Sequence, residues 1–144
     1  MYNFSNKSVE KLSTVNENLQ VIMYKAIERS PIDFGISHGL RTPKEQLDLF
    51  MKGRKIAEGG SIVIENINKI VTYCDGLNKK SKHQSGNAVD VYAYVNNKAS
   101  WKEDYLKEIA LVVLGIAAEE GIRLRWGGNF KGSFKDFPHY ELIK

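Results

Sequence analysis

The first part of the chain carries apolar residues at three- and four-residue steps, which is the pattern of an amphipathic helix. This pattern predicts one helix from Val9 to Arg29, with Ser8 as its N-cap. The helix should end at Ser30-Pro31, because the residue before a proline avoids the helical region. A short strand over residues 34–37 is expected to follow.

Two further helices are indicated by their capping sequences. Thr42-Pro43-Lys44-Glu45 combines a capping threonine, a proline in the first turn and a glutamate that closes the capping box. Ser100-Trp101-Lys102-Glu103 predicts a second capping box. The helix that it opens carries apolar residues at helical spacing and should end at Gly121, a favourable C-cap.

Strands are predicted where β-branched and aromatic residues cluster or alternate with polar ones. The clearest is 88–95, and others are expected at 34–37, 70–73, 122–126 and 139–143. Residues 62–64 fit either a strand or a short helix, and Asp75-Gly76 is typical of a turn. This order of elements predicts an α+β fold in which helices pack around a small antiparallel sheet.

Length and composition narrow the class of protein. The 144 residues, 42% hydrophobic and 26% charged, suit one folded domain spanning residues 1–144. The single Cys74 excludes an intrachain disulfide and a thiolate-cluster metal site. The polar start lacks the apolar core of a secretory signal, and no apolar run reaches the roughly 18 residues of a membrane span, so we expect folding in a cytoplasm.

The net charge of +4 indicates a mild bias toward anionic partners, such as nucleic acid, anionic lipid or a cell-wall polymer. A solvated, lysine-rich surface accounts for the same charge. No basic block longer than two residues and no known nucleic-acid-binding motif occurs, so we expect no nucleic-acid partner.

Two of the three histidines lie in settings that suggest chemistry. His83 sits in a polar loop, seven residues before Asp90 of the strand 88–95. Strand alternation places Ala88, Asp90 and Tyr92 on one face. Because a buried aspartate is unfavourable without a charged partner, this position favours a nearby metal ion.

The second histidine, His139, opens the last strand three residues after Asp136. Three nitrogen and oxygen ligands, with a fourth position left to water, are typical of catalytic zinc. His83, Asp90 and His139 would supply this set, and Asp136 would remain free as a general base toward the zinc-bound water. Such spacing also arises by chance, and each histidine taken alone also suits a structural role.

These residues resemble the signature of a known enzyme superfamily. Ser81-x-His83-x-x-Gly86-x-Ala88-x-Asp90, followed by Asp136-x-x-His139, is similar to the zinc D-Ala-D-Ala carboxypeptidases and dipeptidases. The closer resemblance is to phage L-alanyl-D-glutamate peptidases, the single-domain endolysins. It extends to 39–42 with Gln46 and to 125–130, and it is weakest over 56–78.

The resemblance implies a role for each matching residue. His83, Asp90 and His139 are expected to bind zinc, and Asp136 to act as the catalytic base. Arg41 resembles the arginine that polarises the scissile carbonyl or holds a substrate carboxylate, although a plain surface charge beside the Thr42 cap also fits.

Four other residues have less defined expectations. His38 could line the cleft and is not expected to bind the metal. Trp126 is expected in the core, with stacking against a sugar as the alternative. Glu141 lies on the same strand face as His139, so it either orients that ligand or faces solvent. Cys74 is expected to be a buried thiol or a strand-end residue.

The sequence therefore predicts a zinc-dependent peptidoglycan endopeptidase that cleaves the L-alanyl-D-glutamate bond of the stem peptide during phage lysis. A D-Ala-D-Ala carboxypeptidase or dipeptidase, and a non-catalytic wall-binding module, remain as alternatives. The resemblance also implies a monomer that waits in the host cytoplasm until a holin-type membrane protein gives it access to the wall.

Overall fold

The computed structural model describes residues 1–144, which form four helices, seven strands and three short 3₁₀ turns. The helices are α1 (Asn6–Leu12), α2 (Glu17–Arg29), α3 (Pro43–Phe50) and α4 (Glu103–Glu119). The strands are β1 (Phe34–His38), β2 (Arg54–Ile56), β3 (Ile62–Ile64), β4 (Ala88–Val95), β5 (Lys98–Ser100), β6 (Leu124–Trp126) and β7 (His139–Leu142). The 3₁₀ turns are Ile67–Lys69, Lys82–Ser85 and Gly127–Asn129. None of the helices has the length and apolar content that crossing a bilayer requires.

Five of the strands form one antiparallel sheet. The order β1-β4-β7-β6 places β4 between β1 and β7, and β5 pairs with the far end of β4. Strands β2 and β3 form a separate antiparallel hairpin. The α+β class and the antiparallel sheet predicted from the sequence are confirmed.

The hydrophobic core lies on one face of this sheet, beneath α2 and α4. Strand alternation turns Val89, Val91 and Ala93 of β4 into the core, where all three are fully buried. Both helices contribute their apolar stripes to the same cluster, and they pack against each other. The opposite face of β4 is therefore left to Asp90 and the polar site described below.

The prediction of a single helix over residues 9–29 is wrong, because the chain breaks between α1 and α2. Thr14 donates its hydroxyl to the Lys11 carbonyl, a side-chain bond that competes with the helical ladder, and Asn16 caps the start of α2. The Thr14 hydroxyl also accepts a bond from the Leu40 amide. The N-cap of α1 is Ser5, whereas Ser8 is buried inside the helix.

Two other local predictions also differ from the structure. Residues 70–73 form no strand, because Thr72 bonds to side chains from other parts of the chain: its carbonyl accepts from Arg54 and its hydroxyl accepts from Gln46. The capping box at residues 100–103 is absent, since α4 begins after Lys102 without a side-chain cap. Ser100 instead ends β5, a strand that the sequence analysis missed.

The capping box at Thr42 is confirmed. The Thr42 hydroxyl accepts from the Glu45 amide, the Glu45 carboxylate accepts from the Thr42 amide, and Pro43 occupies the first turn. Residues 62–64 form a strand, and Gly76 adopts the positive φ of 87° that its predicted turn requires.

Candidate metal centre and cleft

The register of the sheet places three of the predicted residues in one row. Asp90 of β4 lies opposite His38 of β1 on one side and opposite His139 of β7 on the other. Because paired residues in neighbouring strands point to the same face, all three side chains lie on the face opposite the core. Asp90 and His139 are nearly buried, whereas His38 is half exposed.

His83 reaches the same point from the 3₁₀ turn that precedes β4. A capping box between Ser81 and Gln84 starts this turn, and Gly86 ends it in the left-handed conformation, with a φ of 74°. The side chain of His83 is only 2% exposed. Its Nδ1 lies 2.9 Å from the Gly39 carbonyl oxygen, which fixes the orientation of the ring.

Three potential ligand atoms meet in a small triangle. Nε2 of His83 lies 3.2 Å from Oδ1 of Asp90 and 3.2 Å from Nδ1 of His139, and the third side of the triangle measures 3.0 Å. A tetrahedral zinc ion holds its ligand atoms about 2.0–2.1 Å away, so that those atoms are about 3.3 Å from one another. The triangle therefore has nearly the dimensions of one face of a zinc coordination tetrahedron.

The hydrogen bonds on the far side of each ring indicate which nitrogen has the free lone pair. His83 can donate from Nδ1 to the Gly39 carbonyl, and His139 can donate from Nε2 to the Glu141 carboxylate 2.9 Å away. This assignment leaves Nε2 of His83 and Nδ1 of His139 as acceptors that face the Asp90 carboxylate. A carbonyl or carboxylate behind the ligating imidazole is the usual outer-shell arrangement of metal-bound histidine.

The pKa shifts in the cluster favour one positive charge on His139, between the carboxylates of Asp90 and Glu141. Burial disfavours the charged imidazolium, but hydrogen bonds to Asp90 and Glu141 outweigh it and raise the pKa of His139 to about 9. Burial also opposes the Asp90 carboxylate, yet the neighbouring imidazoles of His139, His38 and His83 hold its pKa well below the usual range. A proton on His139 thus satisfies the cluster, and a divalent cation could replace it.

The donor set fits a metal ion in number, type and spacing. His83, Asp90 and His139 form a group of potential ligands, and their positions are those that the sequence analysis assigned to zinc. Two neutral imidazoles and one carboxylate are ligands that zinc accepts, with a fourth position left open. Their role as ligands remains a prediction.

Asp136 lines the same cleft from the loop that precedes β7. Its amide donates to the Gly127 carbonyl at 3.0 Å, and its own carbonyl accepts from the His139 amide at 3.1 Å. Burial, together with the negative charge of Asp90, raises the pKa of Asp136 to about 6. A carboxylate with this pKa can both accept and return a proton near neutral pH.

Arg41 is nearly buried and contacts the metal-ligand candidate directly. Its Nη2 donates to Oδ2 of Asp90 at 2.9 Å, and its Nη1 donates to Oε1 of Gln46 at 3.0 Å. Gln46, fully buried in α3, donates from Nε2 to the Cys74 carbonyl and the Thr72 hydroxyl. Arg41 is therefore held by protein contacts on two sides, while its buried Nε has no protein partner.

The cleft above these residues has a volume of about 940 Å³, and most of the charged side chains that line it are basic. Its three acidic residues, Asp90, Asp136 and Glu141, belong to or adjoin the ligand cluster. Its basic residues lie around them and are Arg41, Lys52, Lys79, Lys80, Lys82, Arg125 and Lys131. This distribution of charge favours a ligand with negative groups placed around a central bond.

The structure also places the residues with less defined expectations. Glu141 faces inward and accepts from His139 instead of facing solvent, and Lys82 approaches its other oxygen at 3.7 Å. His38 lines the cleft with Nδ1 3.5 Å from Asp90, and Trp126 packs partly buried against the core. Cys74 is only partly buried, and its carbonyl holds Gln46.

Sequence reasoning missed the parts played by Gly39 and Gln46. The Gly39 carbonyl orients His83, a contact that no side-chain motif reveals because it uses the backbone. Gln46 carried no signal beyond its place in the family resemblance, and the fold makes it the link between Arg41 and residues 72–74.

Comparisons with known proteins give a consistent result. The sequence model of the family described as phage L-alanyl-D-glutamate peptidase matches residues 1–143. The L-alanyl-D-glutamate peptidase of Escherichia phage T5 is 29% identical over 133 residues, covering 92% of this chain and 84% of the relative. The peptidoglycan L-alanyl-D-glutamate endopeptidase CwlK of Bacillus subtilis strain 168 is 33% identical over 136 residues, covering 90% and 71%.

A solved structure supports the same relationship. The crystal structure of the L-Ala D-Glu endopeptidase ChiX of Serratia marcescens superimposes with a TM-score of 0.73 at 30% sequence identity. The match covers 98% of this chain and 90% of ChiX.

Proposed function

The chain belongs to the phage L-alanyl-D-glutamate peptidase family, and we propose on that basis that it is a zinc-dependent peptidoglycan endopeptidase. Its relatives are phage and bacterial peptidases whose names specify the bond between L-alanine and D-glutamate. The observation that carries the zinc proposal is the triangle of Nε2 of His83, Oδ1 of Asp90 and Nδ1 of His139, with sides of 3.0–3.2 Å.

His83, Asp90 and His139 would hold the zinc ion. When bound, zinc supplies a Lewis acid that polarises the scissile carbonyl and lowers the pKa of water toward about 7. The Gly39 carbonyl and Glu141 keep the two imidazoles in the tautomers that binding requires.

Asp136 is proposed as the general base. A carboxylate with a pKa near 6 is ionised at neutral pH, so it can take the proton of the attacking water. The same group, once protonated, can deliver that proton to the leaving amine. Asp136 is suited to this exchange because it lines the cleft beside the ligand cluster.

Arg41 is proposed to stabilise the negative charge that develops on the carbonyl oxygen. Its planar guanidinium offers forked, charged donors, and Arg41 lines the cleft while its Nε has no protein partner. The bond to Asp90 and the bond to Gln46 hold the planar group in one orientation. Preorganisation of this kind makes a charged donor more effective, because it does not have to reorient during the reaction.

The substrate proposed for the cleft is the stem peptide of peptidoglycan. Free carboxylates of such a peptide would approach the basic lining, which includes Lys79, Lys80, Arg125 and Lys131. The attraction should weaken with salt, because groups at the rim of a cleft are screened.

In its biological setting we propose that the enzyme is a phage endolysin. It would remain in the host cytoplasm until a holin-type membrane protein opens a route to the wall. Expression alone should then leave cells intact, and permeabilising the membrane should start lysis. Rapid lysis of cells whose membranes are demonstrably intact would contradict this part of the proposal.

The zinc proposal is tested by metal content together with activity. Chelation should abolish peptidoglycan cleavage and stoichiometric zinc should restore it, while His83→Ala and His139→Ala should each lose the bound zinc. His38→Ala is the matched control, because His38 lies at the same site but is proposed to bind no metal. Retention of one equivalent of zinc by both ligand variants would refute the assignment.

A further inference from the structure

The segment between α3 and the His83 turn exposes an unusual amount of aliphatic surface. Every residue from 56 to 69 except Ala57 is exposed, and none belongs to the core. Five of them are β-branched and apolar, with exposures of 69% for Ile56, 47% for Ile62, 38% for Val63, 49% for Ile64 and 66% for Ile67. Aliphatic residues concentrated in this way usually mark a contact surface.

This surface, which we call the apolar hairpin (residues 54–67), projects from a fixed base. At the base, Arg54 stacks over the Phe50 ring at 3.9 Å and donates to the Thr72 carbonyl at 3.0 Å. Gly53 accepts from the amides of Glu65 and Asn66, which closes the hairpin. At the tip, Gly59 and Gly60 have no neighbouring atom within 4 Å of where a side chain would begin.

The net positive charge of the whole protein resides in the same part of the chain. Residues 52–82 contain seven basic and three acidic residues, a net +4. The rest of the chain contains fourteen of each sign and is neutral, so this segment accounts for the full net charge of +4. Within the apolar hairpin itself the two basic residues balance Glu58 and Glu65, and exposed Lys69 lies just beyond it. Four of the other basic residues of this segment line the cleft, namely Lys52, Lys79, Lys80 and Lys82.

We propose that the apolar hairpin binds the surface of an anionic lipid bilayer. Exposed isoleucines and valines would enter the boundary between headgroups and acyl chains, while the surrounding lysines would pair with anionic headgroups. This inference goes beyond the proposed function, because bond cleavage requires neither lipid nor the hairpin tip.

Two other occupants fit the surface less well. Sugar chains are commonly recognised by aromatic rings and polar groups, whereas the hairpin offers branched aliphatic side chains. A second copy of the protein would bring together two molecules that each carry a net charge of +4, and like charges oppose such a contact. Exposed aliphatic side chains on a protein of net positive charge match the apolar interior and the negative surface of an anionic membrane.

Membrane binding would hold the enzyme close to the bilayer surface. Lys52, Val71 and Tyr73, close to the base of the hairpin, line the active-site cleft. A protein attached through the hairpin tip would therefore hold its cleft near the bilayer surface.

The test is sedimentation of the full-length, zinc-loaded protein with vesicles. Vesicles of phosphatidylcholine containing one part in three of phosphatidylglycerol should bind the protein, binding should fall as salt is added, and vesicles of phosphatidylcholine alone should bind little. The double variant Ile62→Ser/Ile64→Ser should weaken binding by about tenfold or more, because it removes apolar area that enters the bilayer. Lys55→Glu/Lys69→Glu should act in the same direction through charge.

Matched controls lie elsewhere on the surface. Leu111→Ser removes an aliphatic side chain that is 76% exposed on α4, and Lys7→Glu/Lys98→Glu makes the same charge change outside the segment. Both should bind vesicles much more tightly than the hairpin variants. All variants should cleave soluble peptidoglycan fragments at the wild-type rate, which separates this inference from the proposed function.

Three results would overturn the inference. The first is that the wild-type protein does not bind the anionic vesicles. The second is that the hairpin variants bind these vesicles as tightly as wild type. The third is that the wild-type protein ignores vesicles while the hairpin variants lose binding to purified cell walls or lose self-association.

Discussion

Replacing Gly127 by alanine should damage catalysis while leaving the proposed metal ligands in place. A Cβ at this position would lie 2.0 Å from the Asp136 carbonyl oxygen and 2.9 Å from the Asp136 Cβ. Ordinary contacts begin at 3.4 Å, so the oxygen and the new methyl group must separate by about 1.4 Å more. Gly127 is buried and its carbonyl accepts from the Asp136 amide, so the displacement falls on the segment that carries the base.

The expected loss follows from this displacement. Misplacing a catalytic group by about 1 Å lowers the rate about 100-fold, which corresponds to about 2.7 kcal/mol in the activation free energy. The value of kcat/KM should therefore fall by about two orders of magnitude. Zinc content should stay near one equivalent, because His83, Asp90 and His139 are fixed by the sheet and by the turn before β4.

The assay measures kcat/KM on a soluble muropeptide, zinc by elemental analysis and the melting temperature of each variant. Gly115→Ala is the matched control, since no atom lies within 4 Å of the new methyl group on α4. It should keep full activity and gain up to about 1 kcal/mol in stability from the better helix former. Wild-type kcat/KM in a folded Gly127→Ala protein would refute the reasoning.

Four further predictions concern the site itself. Asp136→Asn should retain zinc and lose at least about 100-fold in turnover, because an amide cannot accept the proton of the attacking water. Asp48→Asn, which changes an exposed aspartate, is the control and should keep the wild-type rate. Equal rates in the two variants would remove Asp136 from the mechanism. Glu141→Ala should weaken zinc affinity by about 10- to 100-fold, because it removes the hydrogen bond that orients His139. An unchanged dissociation constant for zinc in a competition titration would contradict this prediction. Zinc affinity should rise about tenfold per pH unit from pH 7 toward pH 9, because the ion must displace a proton from His139, whose pKa is raised to about 9. Calorimetry in buffers of different ionisation enthalpy should detect about one released proton. A zinc affinity that does not change with pH would disprove this prediction. The stability that the same proton gives the zinc-free protein should be present below pH 6.5 and be lost as pH rises through about 9.

Much of the fold was predictable because local patterns agree with the tertiary structure. The alternation in β4 correctly separated Val89 and Val91, which enter the core, from Asp90, which faces the polar site. The capping box at Thr42 was also readable, since all its partners lie within four residues.

The errors arose where distant contacts decide the local structure. At the break after α1, Thr14 bonds both to the Lys11 carbonyl and to the distant Leu40 amide, and apolar spacing alone reveals neither contact. Residues 70–73 have the composition of a strand but bond to Arg54 and Gln46 instead of to a neighbouring strand.

In the candidate site, too, local patterns predict some features and distant contacts decide others. The positions of His83, Asp90 and His139 could be predicted because each lies in or beside a readable strand. The inward orientation of Glu141 and the contact between Arg41 and Asp90 depend on strand register and on the placement of α3, which the sequence does not display.

Mass spectrometry of purified peptidoglycan digested by the zinc-loaded protein identifies the bond that the enzyme cleaves. The expected fragments carry a new amino group on D-glutamate, a new carboxyl terminus on L-alanine and intact terminal D-alanine. Release of free D-alanine with the L-alanyl-D-glutamate bond intact would contradict the endopeptidase activity and assign the site to a carboxypeptidase.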